Sequence, residues 1–175
     1  MSPKNLNVSN KTHKILLNKL RDKRIFQIYK KFENTLNLNQ DFIVGVSGGP
    51  DSLALCFLSK IYSIKKSLNA YYYIVDHRLR KNSSTEAQSV KKLLKKYNIK
   101  SDILKWFGKK PISNVQSIAR NKRYSLLINQ AKKLDIKTIL TGHHLDDMYE
   151  NFFIRISRGS GLNGLVSFSE RTLRD

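Results

Sequence analysis

The chain has 175 residues, 40% of them hydrophobic and only three of them proline, enough for one folded domain with a proper core and too apolar for a disordered segment. Its 33 Lys and Arg against 13 Asp and Glu give a formal net charge of +20. That charge points to a polyanionic partner, most simply nucleic acid, or else to the Lys-, Asn- and Ile-rich composition of AT-rich genomes. A single cysteine, Cys56, excludes an internal disulfide framework and any paired-cysteine motif, and its apolar helix makes it a core residue.

Residues 1–10 are polar, with no apolar signal-peptide region, and are expected to be irregular. From about Lys11 to Leu38 apolar residues (Leu16, Leu20, Tyr29, Phe32 and Leu36 among them) recur at helical spacing, predicting a helical N-terminal extension over 1–40. Its basic face is either solvated or a contact for RNA backbone. Phe42 to Val46 is a short apolar strand. Gly48 and Gly49 let the backbone turn, Pro50 has the φ of a first helical residue, and an apolar helix follows to about Lys66.

Ala70 to Val75 reads as a second strand, ending in Asp76-His77-Arg78-Leu79-Arg80, at the edge where open α/β sheets bind ligands. Ser83 and Glu86 have capping-box spacing at the start of a helix whose apolar stripe includes Ala87, Val90 and Leu94. Ile99 to Trp106 is a weaker third strand. A helix over about Asn114 to Leu134 carries Val115, Ile118, Ala119, Leu127 and Ala131, with Gln116, Arg120, Arg123 and Tyr124 expected to face the strand ends. Lys137 to Thr141 is the fourth strand, followed by Gly142-His143-His144-Leu145-Asp146-Asp147 and a further helix to about Ser157. Three strand–helix–strand crossovers predict an α/β fold: an open, mostly parallel sheet with helices on both faces, in a domain spanning 41–175. The longest apolar runs are much too short for a bilayer, so a soluble cytoplasmic protein with no membrane partner is expected.

Two clusters carry the chemistry. At the first, free N–H groups and the positive helix end converge beyond the strand, an arrangement suited to phosphate. Ser47 and Ser52 can donate hydrogen bonds there, whereas Asp51 would repel a bare phosphate and reads better as a magnesium ligand. This is not the Walker A loop, since no Gly-Lys-Ser/Thr follows. At the second cluster, the adjacent His143 and His144 point apart and have no cysteine partner, which argues against zinc. Helix capping explains one aspartate and leaves the rest. Asp146 and Asp147 are hard oxygen ligands, and opposite Asp51 they would complete a clamp on magnesium pyrophosphate.

Ser47-Gly48-Gly49-Pro50-Asp51-Ser52 resembles the Ser-Gly-Gly-x-Asp-Ser loop of the N-type ATP pyrophosphatases, which split ATP between the α and β phosphates. Three further blocks narrow the resemblance: Val75 to Arg80, Ala119-Arg120 with Arg123-Tyr124, and His143 to Glu150 followed by Arg158-Gly159-Ser160-Gly161. Together they resemble the tRNA(Ile)-lysidine synthase family over roughly residues 38–168. Met148 and Asn151 depart from it, standing where the family has Gln and Thr. The family also continues past the position of Asp175, so the catalytic domain is expected to be incomplete at its C-terminus.

The resemblance implies a Rossmann-like fold of the adenine nucleotide alpha hydrolase type and a ligase using ATP and Mg2+. It implies as partners free lysine and the isoleucine tRNA with a CAU anticodon, whose wobble cytidine would become lysidine. It places Ser47, Gly48, Gly49, Pro50, Asp51, Ser52, His77 and Arg80 at the nucleotide, and Asp51, Asp146 and Asp147 at the metal. Asp51, Arg120, His143, His144 and Asp147 become the catalytic candidates, with Arg123 and Arg158 as further anion contacts. A tRNA thiolase or amide-forming ligase with the same loop, and an inactive nucleotide- or RNA-binding remnant, are the alternatives. The thiolase usually needs paired cysteines, and the amide ligases give no reason for the charge.

Overall fold

The computed structural model describes residues 13–108, 111 and 113–142. They belong to the first of two compact units, Met1–Gly142; the second, His143–Asp175, lies outside the described residues. Four strands form one sheet: β1 (Phe42–Val46), β2 (Ala70–Asp76), β3 (Ser101–Lys105) and β4 (Ile139–Thr141). All pairings are parallel, in the order β3-β2-β1-β4. The chain therefore steps outward from β1 to β3 and then returns to the other side of β1. This reversal creates a topological switch point between β1 and β4, where open α/β sheets hold ligands beyond the carboxyl ends of the strands.

Period-two alternation divides the core. Phe42, Val44 and Val46 of β1, with Tyr72 and Ile74 of β2, pack into one buried cluster with Cys56, Ile61, Tyr62 and Leu94. Those partners lie on α2 (Pro50–Lys66) and α3 (Ser83–Lys96). Ile43, Tyr73 and Val75 point the other way, onto Leu127 and Ala131 of α4 (Val115–Leu134). Helices thus cover both faces, as the sequence predicts. β3 is shorter than expected, and after the buried Ser101 its residues are partly or fully exposed, which suits an edge strand.

The N-terminal stretch is not one helix. Residues 13–18 are helical, Lys19–Arg21 form a 3-10 turn, and α1 (Lys23–Leu36) begins afresh. Asp22 causes the break: its backbone is extended, and its carboxylate accepts hydrogen bonds from the Arg24 and Ile25 N–H groups at 2.8 and 3.2 Å. Leu16 and Tyr29 are buried in the same cluster as the sheet. The link from α1 to β1 is held by Tyr62, whose hydroxyl accepts from the Leu38 N–H and donates to the Leu38 carbonyl.

Candidate functional site

The glycine loop lies at the carboxyl end of β1. Gly48 adopts φ +89, a left-handed conformation that favours glycine, and a Cβ there would meet Val90 Cγ2 at 2.6 Å. Gly49 is the N-cap of α2 and Pro50 its first residue, as the sequence predicts. No side chain caps this helix. The Asp51 and Ser52 N–H groups have no intrahelical acceptor by position, and so remain available to an anion. Ser52 is buried, and its Oγ accepts a hydrogen bond from the Ser47 N–H at 2.9 Å. The loop is thereby closed across the helix N-terminus, with the Ser52 hydroxyl proton still free to donate.

β4 ends against this junction. A Cβ on Gly142 would come within 3.2 Å of the Asp51 carbonyl carbon and closer still to Ser52. Lack of a side chain at Gly142 therefore lets the end of β4 close on the N-terminus of α2. Neither this contact nor the Gly48–Val90 contact has a signature in the sequence.

Beyond β2, Asp76 is the organising residue. It is buried, and its carboxylate accepts from the Arg78 N–H at 3.0 Å, the Ser83 hydroxyl at 2.7 Å and the Ser84 hydroxyl at 2.6 Å. The expected capping box is absent: Asn82 is the N-cap, it makes no side-chain cap bond, and Ser83 is turned to Asp76 instead. A buried carboxylate is the stronger acceptor, which decides the competition. Burial would raise the Asp76 pKa, but the bonds from Ser84, Ser83 and Arg78 outweigh it and hold the carboxyl below its ordinary value. Sequence reading placed Asp76 in a ligand-facing motif without seeing this role.

Next to it, Nδ1 of His77 is buried without a hydrogen-bond partner among the described residues. Burial, and then the positive charge of Arg123, lower the His77 pKa, with Asp76 opposing. α4 packs against β2, its Gln130 side-chain amide donating to the Tyr73 hydroxyl at 3.0 Å, and Arg123 is close enough for its charge to be felt at His77. Arg123 is itself lowered, by burial and by Arg120, with Tyr124 opposing. Arg120 lies over the Tyr124 ring, 5.9 Å from its centroid. Val115, expected on the apolar stripe, is exposed, and α4 is buried chiefly from Leu126 onward. Its first half is left to polar work.

Asp51 is exposed in the first turn of α2. A hard carboxylate oxygen beside a phosphate loop suits Mg2+, so this part of the expected donor set fits. The described residues contain no group of three metal-ligating side chains. His143, His144, Asp146, Asp147 and Arg158 lie outside the described residues.

A glycine loop before a helix N-terminus, at the switch point of an open parallel sheet, is the frame of a Rossmann-like fold. The family model of the PP-loop domain, an ATP-binding domain, matches residues 18–175, and the chain belongs to that family. Among curated relatives it is 42% identical over 129 residues to tRNA(Ile)-lysidine synthase of Orientia tsutsugamushi, covering 74% of this chain and 29% of that one. Against the enzyme of the same name from Rickettsia africae it is 39% identical over 146 residues, covering 80% and 30%. Against that of Rhodopseudomonas palustris it is 38% identical over 135 residues, covering 76% and 39%. The matched region thus spans about a third of these relatives' length. Among solved structures, the U34-tRNA thiolase NcsA from Methanococcus maripaludis with its 4Fe-4S cluster has the same fold, with TM-score 0.70 and 18% identity over 81% of this chain and 53% of that one. No helix among the described residues is long and apolar enough to cross a membrane.

Proposed function

We propose that the chain carries the ATP-cleaving centre of a tRNA(Ile)-lysidine synthase. The observation that carries this reading is the loop of Ser47 to Ser52, closed on itself and pressed against the end of β4, in a chain whose curated relatives bear that name.

In this reading the N–H groups of the loop and the first turn of α2 hold the ATP phosphates, and the Ser47 and Ser52 hydroxyls donate to them. Asp51, with Asp146 and Asp147, would hold Mg2+, which would neutralise charge on the pyrophosphate leaving group. The oxygen on C2 of the wobble cytidine attacks the α phosphorus, and the bond to the β phosphate breaks, releasing pyrophosphate. The amine of free lysine then attacks C2, loses a proton, and AMP leaves with the oxygen. His77, neutral because burial and Arg123 disfavour its charge, lines the nucleotide site with Arg80. Arg120 and Arg123 offer positive charge near the base. His143 or His144 relays the proton.

Nucleoside analysis after incubation with the CAU isoleucine tRNA, lysine and Mg-ATP tests this. Lysidine in place of the wobble cytidine is expected. Sulfur incorporation would instead support a thiolase, a reading that the fold match to a thiolase favours. Cys56 gives that reading no nucleophile, because it is buried and its thiol is pushed up to about 12.

A further inference from the structure

Where β2 and β3 end, residues 77–81 and 106–108 face each other across a cleft of about 470 Å³. Phe107 stands on its rim, 74% exposed, the most exposed large apolar side chain among the described residues. A lone exposed phenylalanine means little. This one has a guanidinium over it: Arg78 lies 5.4 Å from the ring centroid. With the cation over one face, a ring so exposed has the other face open.

Both walls are anchored at Asp76. Arg78 has φ +53, unusual for a side-chain-bearing residue, and its N–H is held by the Asp76 carboxylate. The Trp106 N–H donates to the Asp76 carbonyl at 3.0 Å. Gly108 packs so close to the Trp106 indole that a Cβ would lie 2.9 Å from Nε1. Arg80 and Lys81 also line the cleft, and no carboxylate among the described residues does.

We propose that Phe107 and Arg78 form a stacking platform for an unpaired base of the RNA substrate, with Lys81 taking an adjoining phosphate. This rests on the tRNA-modifying reading and adds a second base contact outside the reacting cytidine. A flat aromatic face backed by guanidinium and flanked by cations is the chemistry that single-stranded nucleic acid uses. A protein partner of mixed charge would leave these cations without counter-charges. In the reading above ATP takes the loop of Ser47 to Ser52 with His77 and Arg80, which leaves Phe107, Arg78 and Lys81 without an assigned ligand.

The test uses the full chain and a labelled, unmodified anticodon stem-loop of the CAU isoleucine tRNA. Trp106 is the only tryptophan in the sequence, so its fluorescence reports on this cleft. Stem-loop binding should quench it. Phe107→Ala should weaken stem-loop binding about tenfold or more, Phe107→Tyr should restore it, and Mg-ATP affinity should stay unchanged in both. Wild-type stem-loop affinity in Phe107→Ala, with lysidine still formed, overturns the platform and leaves the enzyme reading standing. Loss of Mg-ATP affinity with RNA affinity intact also overturns it, and moves adenine onto the ring. If the wild-type chain does not bind the stem-loop at all, the tRNA-modifying reading fails and the platform with it.

Discussion

Gly142 and Ser52 are in backbone contact: a Cβ on Gly142 would lie 2.7 Å from Ser52 Cα and 2.9 Å from its nitrogen. Both are main-chain atoms, fixed by β4 and by the helix that starts at the loop, so neither side yields cheaply. Gly142→Ala should therefore push the end of β4 off the N-terminus of α2. Overpacking of this kind costs about 1–3 kcal/mol. An ångström-scale misplacement of the loop should lower turnover on the order of 10²-fold. Chemical denaturation and pyrophosphate release measure the two effects separately. Full activity in the variant would show that the contact does not set the site.

Gly48 and Gly49 should respond oppositely. At Gly49, φ is −71 and a Cβ would touch only Ser47 Oγ, at an ordinary 3.8 Å. Nothing among the described residues demands glycine there. Gly49→Ala should leave stability within about 1 kcal/mol and weaken Mg-ATP binding, because the methyl group enters phosphate space. Gly48→Ala should unfold more easily, by about 1–2 kcal/mol from the left-handed backbone alone and further from the contact with Val90. Val90→Ala in the same chain should recover the second part only. Thermal unfolding with and without Mg-ATP distinguishes all three variants.

Asp76→Ala should be costly for its size. It removes the acceptor from Ser83, Ser84 and the Arg78 N–H together. The donors are at most half-buried and can turn to water, so the loss is that of the hydrogen bonds to a charged acceptor, about 1.5–3 kcal/mol, and the 77–81 turn should loosen, weakening nucleotide binding through His77 and Arg80. Replacing Ser83 and Ser84 by alanine along with Asp76 should cost less than the sum of the separate changes, which a double-mutant cycle would read.

The lowered pKa of His77 sets the sign of a pH effect. In the unfolded chain the imidazole takes up a proton near its ordinary value of 6.5, whereas in the fold it resists protonation to lower pH. Stability from this residue is therefore full above 6.5 and falls as pH drops from there through the folded-state value. His13 is lowered in the same direction, by burial and then by Lys60, so the comparison must be between wild type and His77→Gln. The melting temperature of the variant should fall less on acidification from about pH 7.5 to 5.5. Equal falls would remove His77 as the cause.

Much of this was legible in the sequence because the signals were local. The apolar run Phe42–Val46, the glycines after it and Pro50 define strand, turn and helix start within a few residues. The three strand–helix–strand crossovers predicted coverage of both sheet faces. The order of strands was not legible, because crossover length does not say that β4 returns beside β1. Nor were the contacts that build the site: Val90 on Gly48, Gly142 on Ser52, and Ser83 on Asp76 join residues from separate elements. Where a local and a tertiary partner competed, as at Ser83, the buried carboxylate won. Asp22 errs the other way: its capping signal is local, but the apolar spacing on either side masked it.

In the proposed function, the loop of Ser47 to Ser52 directs cleavage of ATP between the α and β phosphates onto an RNA base that lysine then captures. Pyrophosphate and orthophosphate release, followed with Mg-ATP and the CAU isoleucine tRNA in the presence and absence of lysine, tests it most directly. Sustained pyrophosphate release that requires both tRNA and lysine is expected, with one lysidine formed per pyrophosphate and little orthophosphate. Orthophosphate as the primary product, or sustained pyrophosphate release without lysine, would contradict it.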